Sequence, residues 1–272
     1  MSPFGKPKAS EDVIYQAMSF LERNQPKVAV SIFNQVLKSD PKNIEALYNK
    51  GLALNQLRKY QDAITSFDKV LEIKPDDAPS LNNRAIAMAE MGNTEDALEY
   101  YDRAIKSDPK YAAAHYNKGV LYDKLGKTDE AMTCLDEAIT LEPRNPNSRF
   151  YKGIIFGRLK RHEEALNCFS NICHSHPQHM DALFHKGIEL AELENHKQAI
   201  EIFDKILSKH KDNVNVIYAK SRSKAALGEI DQSIDLLKKA VSKNPKPIKQ
   251  WAKQEKIFEK LIDDERFRRI IK

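Results

Sequence analysis

IEALYNKGLALNQLRKYQDAITSFDKVLEIKPDD, residues 44–77, decides the fold. Its apolar side chains recur at helical spacing, first as Leu47, Leu54 and Leu57 and then as Ile64, Phe67 and Leu71, so the stretch reads as two helices. Pro75 closes the second helix, because the residue before a proline disfavours the helical region. Two small residues face inward, Gly51 on the first helix and Ala63 on the second. They let the pair approach closely, and Phe67 fills the space that remains. A large side chain at either small position would wedge the helices apart.

The same pattern repeats outward in both directions. Pro41, Pro75, Pro109, Pro143 and Pro177 are each 34 residues apart, Lys211 takes the next place, and Pro245 resumes the series. Ala29, Ala63, Ala97, Ala131, Ala165, Ala199 and Ser233 keep the step. So do the small residues Ala17, Gly51, Ala85, Gly119, Gly153, Gly187 and Ser221, and the large ones Phe33, Phe67, Tyr101, Leu135, Phe169, Phe203 and Leu237. Counted from Ser10, seven units of 34 residues run without insertion to Pro247: 10–43, 44–77, 78–111, 112–145, 146–179, 180–213 and 214–247. A single helix pair cannot bury its own apolar face, but stacked neighbours can, so the expected object is a solenoid.

A 34-residue period with a small residue at position 8, Ala at 20, an aromatic at 24 and Pro at 32 resembles the tetratricopeptide repeat. Tyr48-Asn49-Lys50-Gly51 through Asp62-Ala63-Ile64 to Ile73-Lys74-Pro75 is a close match, and Tyr116-Asn117-Lys118-Gly119 opens another. The resemblance spans Ser10 to Pro247. It implies an all-α, right-handed α-solenoid of seven helix-turn-helix repeats with a C-terminal capping helix. Departures fall at His115 and Arg149, where position 4 is usually apolar, and at Lys211 and Lys224. Residues 1–9 read as a disordered tail and 248–272 as a capping helix with a basic tail. In the latter, Trp251, Phe258 and Leu261 fall at positions 4, 11 and 14 of an eighth first helix, and Asp263, Asp264 and Glu265 suit the start of another. Whether this end is only a cap or also a docking element stays open.

The resemblance also implies that positions 2, 5, 6, 9, 12 and 13 line a concave groove. Position 5 reads Ile14, Tyr48, Asn82, Tyr116, Phe150, Phe184 and Tyr218; position 9 reads Met18, Leu52, Ile86, Val120, Ile154, Ile188 and Arg222. Such a strip marks an interaction face, unless the side chains pack between neighbouring first helices. Position 6 places Asn49, Asn83 and Asn117 in successive units. Their amides offer donors and acceptors to the backbone of an extended peptide; the alternative is a local hydrogen bond at each. The residues expected to bind a partner are Tyr48, Asn49, Leu52, Asn83, Ile86, Tyr116, Asn117, Val120, Phe150 and Phe184. The family's chaperone-type carboxylate clamp is not expected. Ile14 and Tyr48 stand where it needs lysine, and Asn117 or Tyr151 where it needs arginine. Position 7, with Lys50, Arg84, Lys118, Lys152, Lys186 and Lys220, reads either as a cationic ladder or as stems with solvated heads.

Charge and composition narrow the function further. The net charge is +5, with ten basic and five acidic residues between Val241 and Lys272, so residues 1–240 are neutral overall. Glu11, Glu45 and Asp181 at position 2 also disfavour the alternative of an RNA-binding helical repeat. A second alternative is a metal site in the cluster Cys168, Cys173, His174, His176 and His179, whose spacing fits no zinc motif. No Gly-x-Ser-x-Gly, Walker or Rossmann signature occurs. The sequence therefore predicts a non-enzymatic adaptor without cofactor, for a protein or peptide partner, with self-association possible. An odd set of three cysteines, a polar N-terminus and the lack of a long apolar run point to the cytoplasm and away from a membrane.

Overall fold

The computed structural model describes residues 8–272. The expected tail falls mainly outside them, but Lys8 and Ala9 already belong to the first helix, where that tail was predicted to continue. Every regular element among the described residues is helical. The chain divides into two compact units, residues 1–143 and 144–272. The first holds α1 (Lys8–Glu22), α2 (Pro26–Ser39), α3 (Ile44–Gln56), α4 (Tyr60–Ile73), α5 (Ala78–Glu90), α6 (Thr94–Ser107), α7 (Ala112–Lys124) and α8 (Thr128–Leu141). The second holds α9 (Pro146–Arg158), α10 (His162–Ser175), α11 (Met180–Glu192), α12 (His196–Lys209), α13 (Val214–Ala226) and α14 (Ile230–Lys243), then α15 (Pro245–Gln254), a 3-10 helix (Lys256–Leu261) and α16 (Glu265–Ile271). Within each unit consecutive helices pack as antiparallel pairs, and each pair stacks on the next, so the architecture is an all-α solenoid of helix-turn-helix repeats.

Position-specific chemistry sets the ends of these helices. Side chains at position 34 cap the following first helix: Asn43 accepts from the Ala46 amide, Asp77 from Ser80, His179 from Ala182 and Asn213 from Val216. The turn inside each pair needs a left-handed residue at position 15. Gly92, Gly126 and Gly228 supply it freely, whereas Asn24, Arg58, Lys160 and Glu194 adopt it at φ of 56–62° with a side chain in place.

The core follows the small-and-large pattern. Phe33, Phe67, Phe169 and Phe203 are fully buried. A Cβ built on Gly51 would lie 2.5 Å from Phe67 Cε1, and one on Gly187 would lie 2.6 Å from Phe203 Cε1. In the seventh pair both small positions are serines, and they satisfy each other. Ser221 Oγ donates to the Ser233 carbonyl at 2.8 Å and Ser233 Oγ to the Ser221 carbonyl at 2.9 Å.

The C-terminal end departs from the expected eighth first helix. α15 starts three residues early, at Pro245, and stops at Gln254. Ile248 and Ala252 enter the core, while Trp251 is left 43% exposed. The helix stops where Glu255 takes the place of a small residue. Glu255 is extended (φ −84°, ψ 112°), and its carboxylate turns to Arg222, with Nε to Oε2 at 2.8 Å. Phe258, Leu261 and Phe267 still close the core, reached through the 3-10 helix and α16 instead of one continuous helix. Asp264 caps α16 by accepting from the Arg266 amide at 2.8 Å.

Candidate functional site

In the first unit the candidate residues lie on the first helices α3, α5 and α7. Residues four apart share a helix face, so positions 5 and 9 align. Tyr48, Leu52, Ile86, Tyr116 and Val120 are half-buried, and none stands clear of its neighbours. Leu52 and Ile86 lean on the cluster around Leu54, Phe67, Met88 and Tyr101. Tyr48 rests edge-on against Phe67, with ring centroids 6.0 Å apart. Burial, with Tyr111 and Asp77 close by, pushes its phenol up to about 12, although the Asn83 hydrogen bond opposes this. It is therefore a neutral hydroxyl near pH 7.

The expected exposed strip is accordingly interrupted. Ile14, Asn82 and Tyr218, also at position 5, are buried, at 1%, 3% and 7% exposed. Half-buried residues at positions 5 and 9 serve both the core and the surface.

The three asparagines use their amide donors inside the protein. Asn49, 8% exposed, donates to the Glu45 carbonyl at 2.9 Å. Asn83 donates to the Pro79 carbonyl at 2.8 Å and to the Tyr48 hydroxyl at 3.1 Å. Asn117 donates to Asn82 Oδ1 at 2.9 Å. The Asn83 and Asn117 bonds each run from position 6 of one pair to position 5 of the pair before, fixing the spacing between first helices. The carbonyl oxygens Oδ1 of Asn49, Asn83 and Asn117 accept no hydrogen bond among the described residues, so acceptors remain.

Two depressions adjoin this face. One, of about 460 Å³, is lined by Ile14, Tyr48 and Pro79 together with the charged Glu45, Lys74 and Asp77. The other, of about 100 Å³, lies between Ile86 and Val120, with Asn117 beside it.

In the second unit Phe150 and Phe184 belong to an aromatic cluster. Phe150 packs edge-on against Phe169 (5.4 Å) and His185 (5.4 Å) and stacks on His179 (5.5 Å). Phe184 meets His185 at 5.6 Å and Phe203 at 6.3 Å. Burial holds the His185 imidazole below its usual range, with Asp181 opposing, which favours the neutral ring. Of the suspected metal cluster, His179 caps α11 and His176 pairs with Ser175 Oγ at 2.9 Å. Outside it, His162 Nδ1 lies 2.8 Å from the buried carboxylate of Glu189. Among the described residues no group of three or more His, Cys, Asp or Glu side chains is placed to hold a metal ion.

Sequence reading missed one feature. Cations at position 7 pair with aspartates at position 25 of the preceding pair. Arg84 Nε donates to Asp68 at 2.6 Å, Lys118 pairs with Asp102 at 2.5 Å, and Lys220 pairs with Asp204. Position 7 is thus neither a free cationic ladder nor a row of solvated heads at these three places. The 16-residue spacing between Lys or Arg and Asp was the available signal.

Among the described residues no helix is long and apolar enough to cross a membrane. Sequence profiles described as tetratricopeptide repeat match residues 16–78, 82–148 and 190–257, and one described as anaphase-promoting complex, cyclosome, subunit 3 matches 125–206. Among curated proteins none matches the chain in sequence. Solved structures of similar fold include PilW, a type IV pilus biogenesis factor (23% identity, TM-score 0.64, 76% of this chain and 96% of that one). A tetratricopeptide repeat protein from Parabacteroides merdae is also similar (21%, 0.59, 89% and 97%). So is YrrB, described as a TPR protein with an unusual peptide-binding site (22%, 0.59, 70% and 98%). At these identities the likeness speaks to fold alone.

Proposed function

This chain belongs to the tetratricopeptide-repeat family, generally non-enzymatic scaffolds for protein–protein contact, and we propose that it binds a peptide or partner helix along the first-helix face of α3, α5 and α7. The observation that carries the reading is the half-buried row Tyr48, Leu52, Ile86 and Val120 beside the depression of about 460 Å³. The row offers apolar area already held in place by the core, so little side-chain entropy is lost on binding. The Oδ1 atoms of Asn49, Asn83 and Asn117 offer acceptors for backbone N–H groups. Phe150 and Phe184 supply an equivalent aromatic surface in the second unit. A peptide-binding relative of the same fold, YrrB, agrees with this use of the repeat. The RNA-binding alternative has less support, since Glu11 and Glu45 stand among the lining residues.

The test compares capture of partner proteins from cell lysate by the full chain and by the variant Asn83→Ala/Tyr116→Ala/Asn117→Ala, with helicity checked by circular dichroism. A partner held by the wild type and lost by a normally helical variant supports the reading. Identical capture by both rules this face out.

A further inference from the structure

The position-7 cations set up a comparison inside the molecule. Arg84, Lys118 and Lys220 each have an aspartate sixteen residues earlier as counter-ion. Sixteen residues before Lys50 stands Asn34 and sixteen before Lys186 stands Ser170, both neutral; of the two lysines, Lys50 lines a cavity with further lysines. Lys50 has no ion-pair partner among the described residues, yet it is half-buried. Asn34 and Lys50 both line one cavity of about 440 Å³ between α2 and α4, with α3 as its floor. Lys59 and Lys69 line the same cavity; Asp62 is the one carboxylate in its lining. Burial and the neighbouring Lys69 both hold the Lys50 ammonium below its usual range, with Asp62 opposing. Three lysines against one aspartate leave two positive charges uncompensated. The rest of the wall mixes aliphatic side chains such as Val30 and Leu54 with the hydroxyl-bearing Thr65 and Ser66.

We propose that this cavity is a phosphate-binding site, taking a phosphate monoester or free phosphate against Lys50, Lys59 and Lys69. The charge decides the class. A phosphate monoester carries about −1.5 to −2 near pH 7, which matches the two uncompensated charges, whereas a single carboxylate does not. Lysine meets phosphate as a point charge; Lys59 and Lys69 are exposed and salt-screened, whereas the half-buried Lys50 is screened less. The aliphatic wall suits the carbon stem of a phosphorylated side chain. None of its lining residues belongs to the proposed peptide-binding row, so the site is independent of the peptide-binding reading.

The test is calorimetric titration of the full chain at low ionic strength with inorganic phosphate and, separately, with O-phospho-L-serine. Wild type is compared with Asn34→Asp and Lys50→Met. Asn34→Asp supplies the carboxylate that Arg84, Lys118 and Lys220 have, so it occupies Lys50 from within. Saturable binding that weakens about tenfold or more in both variants is the expected result. Asn34→Asp should also melt higher than wild type without phosphate and gain less from added phosphate. Tighter binding of phosphoserine assigns the site to a phosphorylated side chain; equal binding assigns it to free phosphate. Absence of saturable binding, or unchanged affinity in Asn34→Asp, overturns the proposal. Should Lys50→Met fail to fold, Asn34→Asp decides alone.

Discussion

Replacing Gly187 by alanine tests the packing rule on which the whole array rests. The added Cβ would sit 2.6 Å from Phe203 Cε1 and 3.1 Å from both Cδ1 and Cζ. Phe203 is 0% exposed and shares its core cluster with Leu183, Leu190, Ile206 and Val216. Overpacking of this kind costs about 1–3 kcal/mol. Alanine in place of glycine returns about 1 kcal/mol of helix propensity. The net expectation is a destabilisation of about 1 kcal/mol, roughly 3–5 °C in melting temperature. Gly119→Ala is the control. There the new Cβ meets the Ala131 carbonyl oxygen at 3.1 Å and Leu135 Cγ at 3.2 Å, and it gains the same propensity. With Cys134 Cβ also at 3.2 Å this site is tight too, but no contact falls below 3.0 Å, so Gly119→Ala should cost less than Gly187→Ala, by about 1 kcal/mol. Ala17 beside Phe33 and Ala85 beside Tyr101 show that a pair can spread to admit both groups, so Gly187→Ala should fold. Adding Phe203→Leu, which copies the Gly119 and Leu135 pair, should recover part of the loss, giving a non-additive double-mutant cycle. Repeat arrays unfold in parts, so amide hydrogen exchange in α11 and α12 should accompany the thermal melt. Equal stability of the Gly187→Ala and Gly119→Ala variants would refute the argument.

Two further predictions concern strain and buried charge. Lys160 holds φ at 58° in the turn between α9 and α10, and Lys160→Gly should stabilise the second unit by about 0.5–1 kcal/mol, since glycine adopts this conformation without a Cβ penalty; an unchanged or lower melting temperature counts against it. Glu189 occupies position 10 of its repeat, where Ala53, Ala87, Leu121 and Ile155 are equally buried, and burial raises its carboxyl above the usual range even though the His162 hydrogen bond opposes this. A raised carboxyl favours the folded state fully below the unfolded carboxyl range, and the contribution is lost as pH rises through the folded value. Glu189→Gln keeps the neutral form throughout, so its melting temperature should exceed that of wild type at pH 7, and the gap should close near pH 4; a gap independent of pH would contradict the assignment.

The sequence exposed the repeat because its information is local. Small residues at positions 8 and 20 and a large one at 24 meet within a single helix pair, and each column could be followed by counting. Bonds between pairs were harder to read, because no column shows them alone. Asn83 to Tyr48 and Asn117 to Asn82 each join position 6 to position 5 across 35 residues. Seeing them requires knowing how far the next first helix is offset. The same offset hides the Arg84–Asp68 and Lys118–Asp102 pairs. Burial within the position-5 column is not legible from the column either: Asn82 and Tyr218 are buried whereas Tyr48 and Tyr116 are half-buried. At the C-terminus the counting gave Trp251 a core position. Once Glu255 stops the helix, however, nothing holds the phase, and Ile248 fills the core instead.

An array of this kind supplies its own controls. When one position is occupied alike in several repeats, the repeat that differs isolates what that side chain does. Gly119 faces leucine where Gly51, Gly153 and Gly187 face phenylalanine, so comparing them separates backbone propensity from overpacking. Glu189 stands where Ala53, Ala87, Leu121 and Ile155 are buried in other repeats, and the cost of its charge can be read against them. Asn34 stands where Asp68, Asp102, Asp136 and Asp204 stand in other repeats, as Ser170 does before Lys186, and it leaves Lys50 half-buried without that counter-ion. A cation in that state is costly unless something outside the repeat pattern compensates it. The compensation has to come from solvent or from an anion, and a cavity with Lys59 and Lys69 on its wall favours the anion.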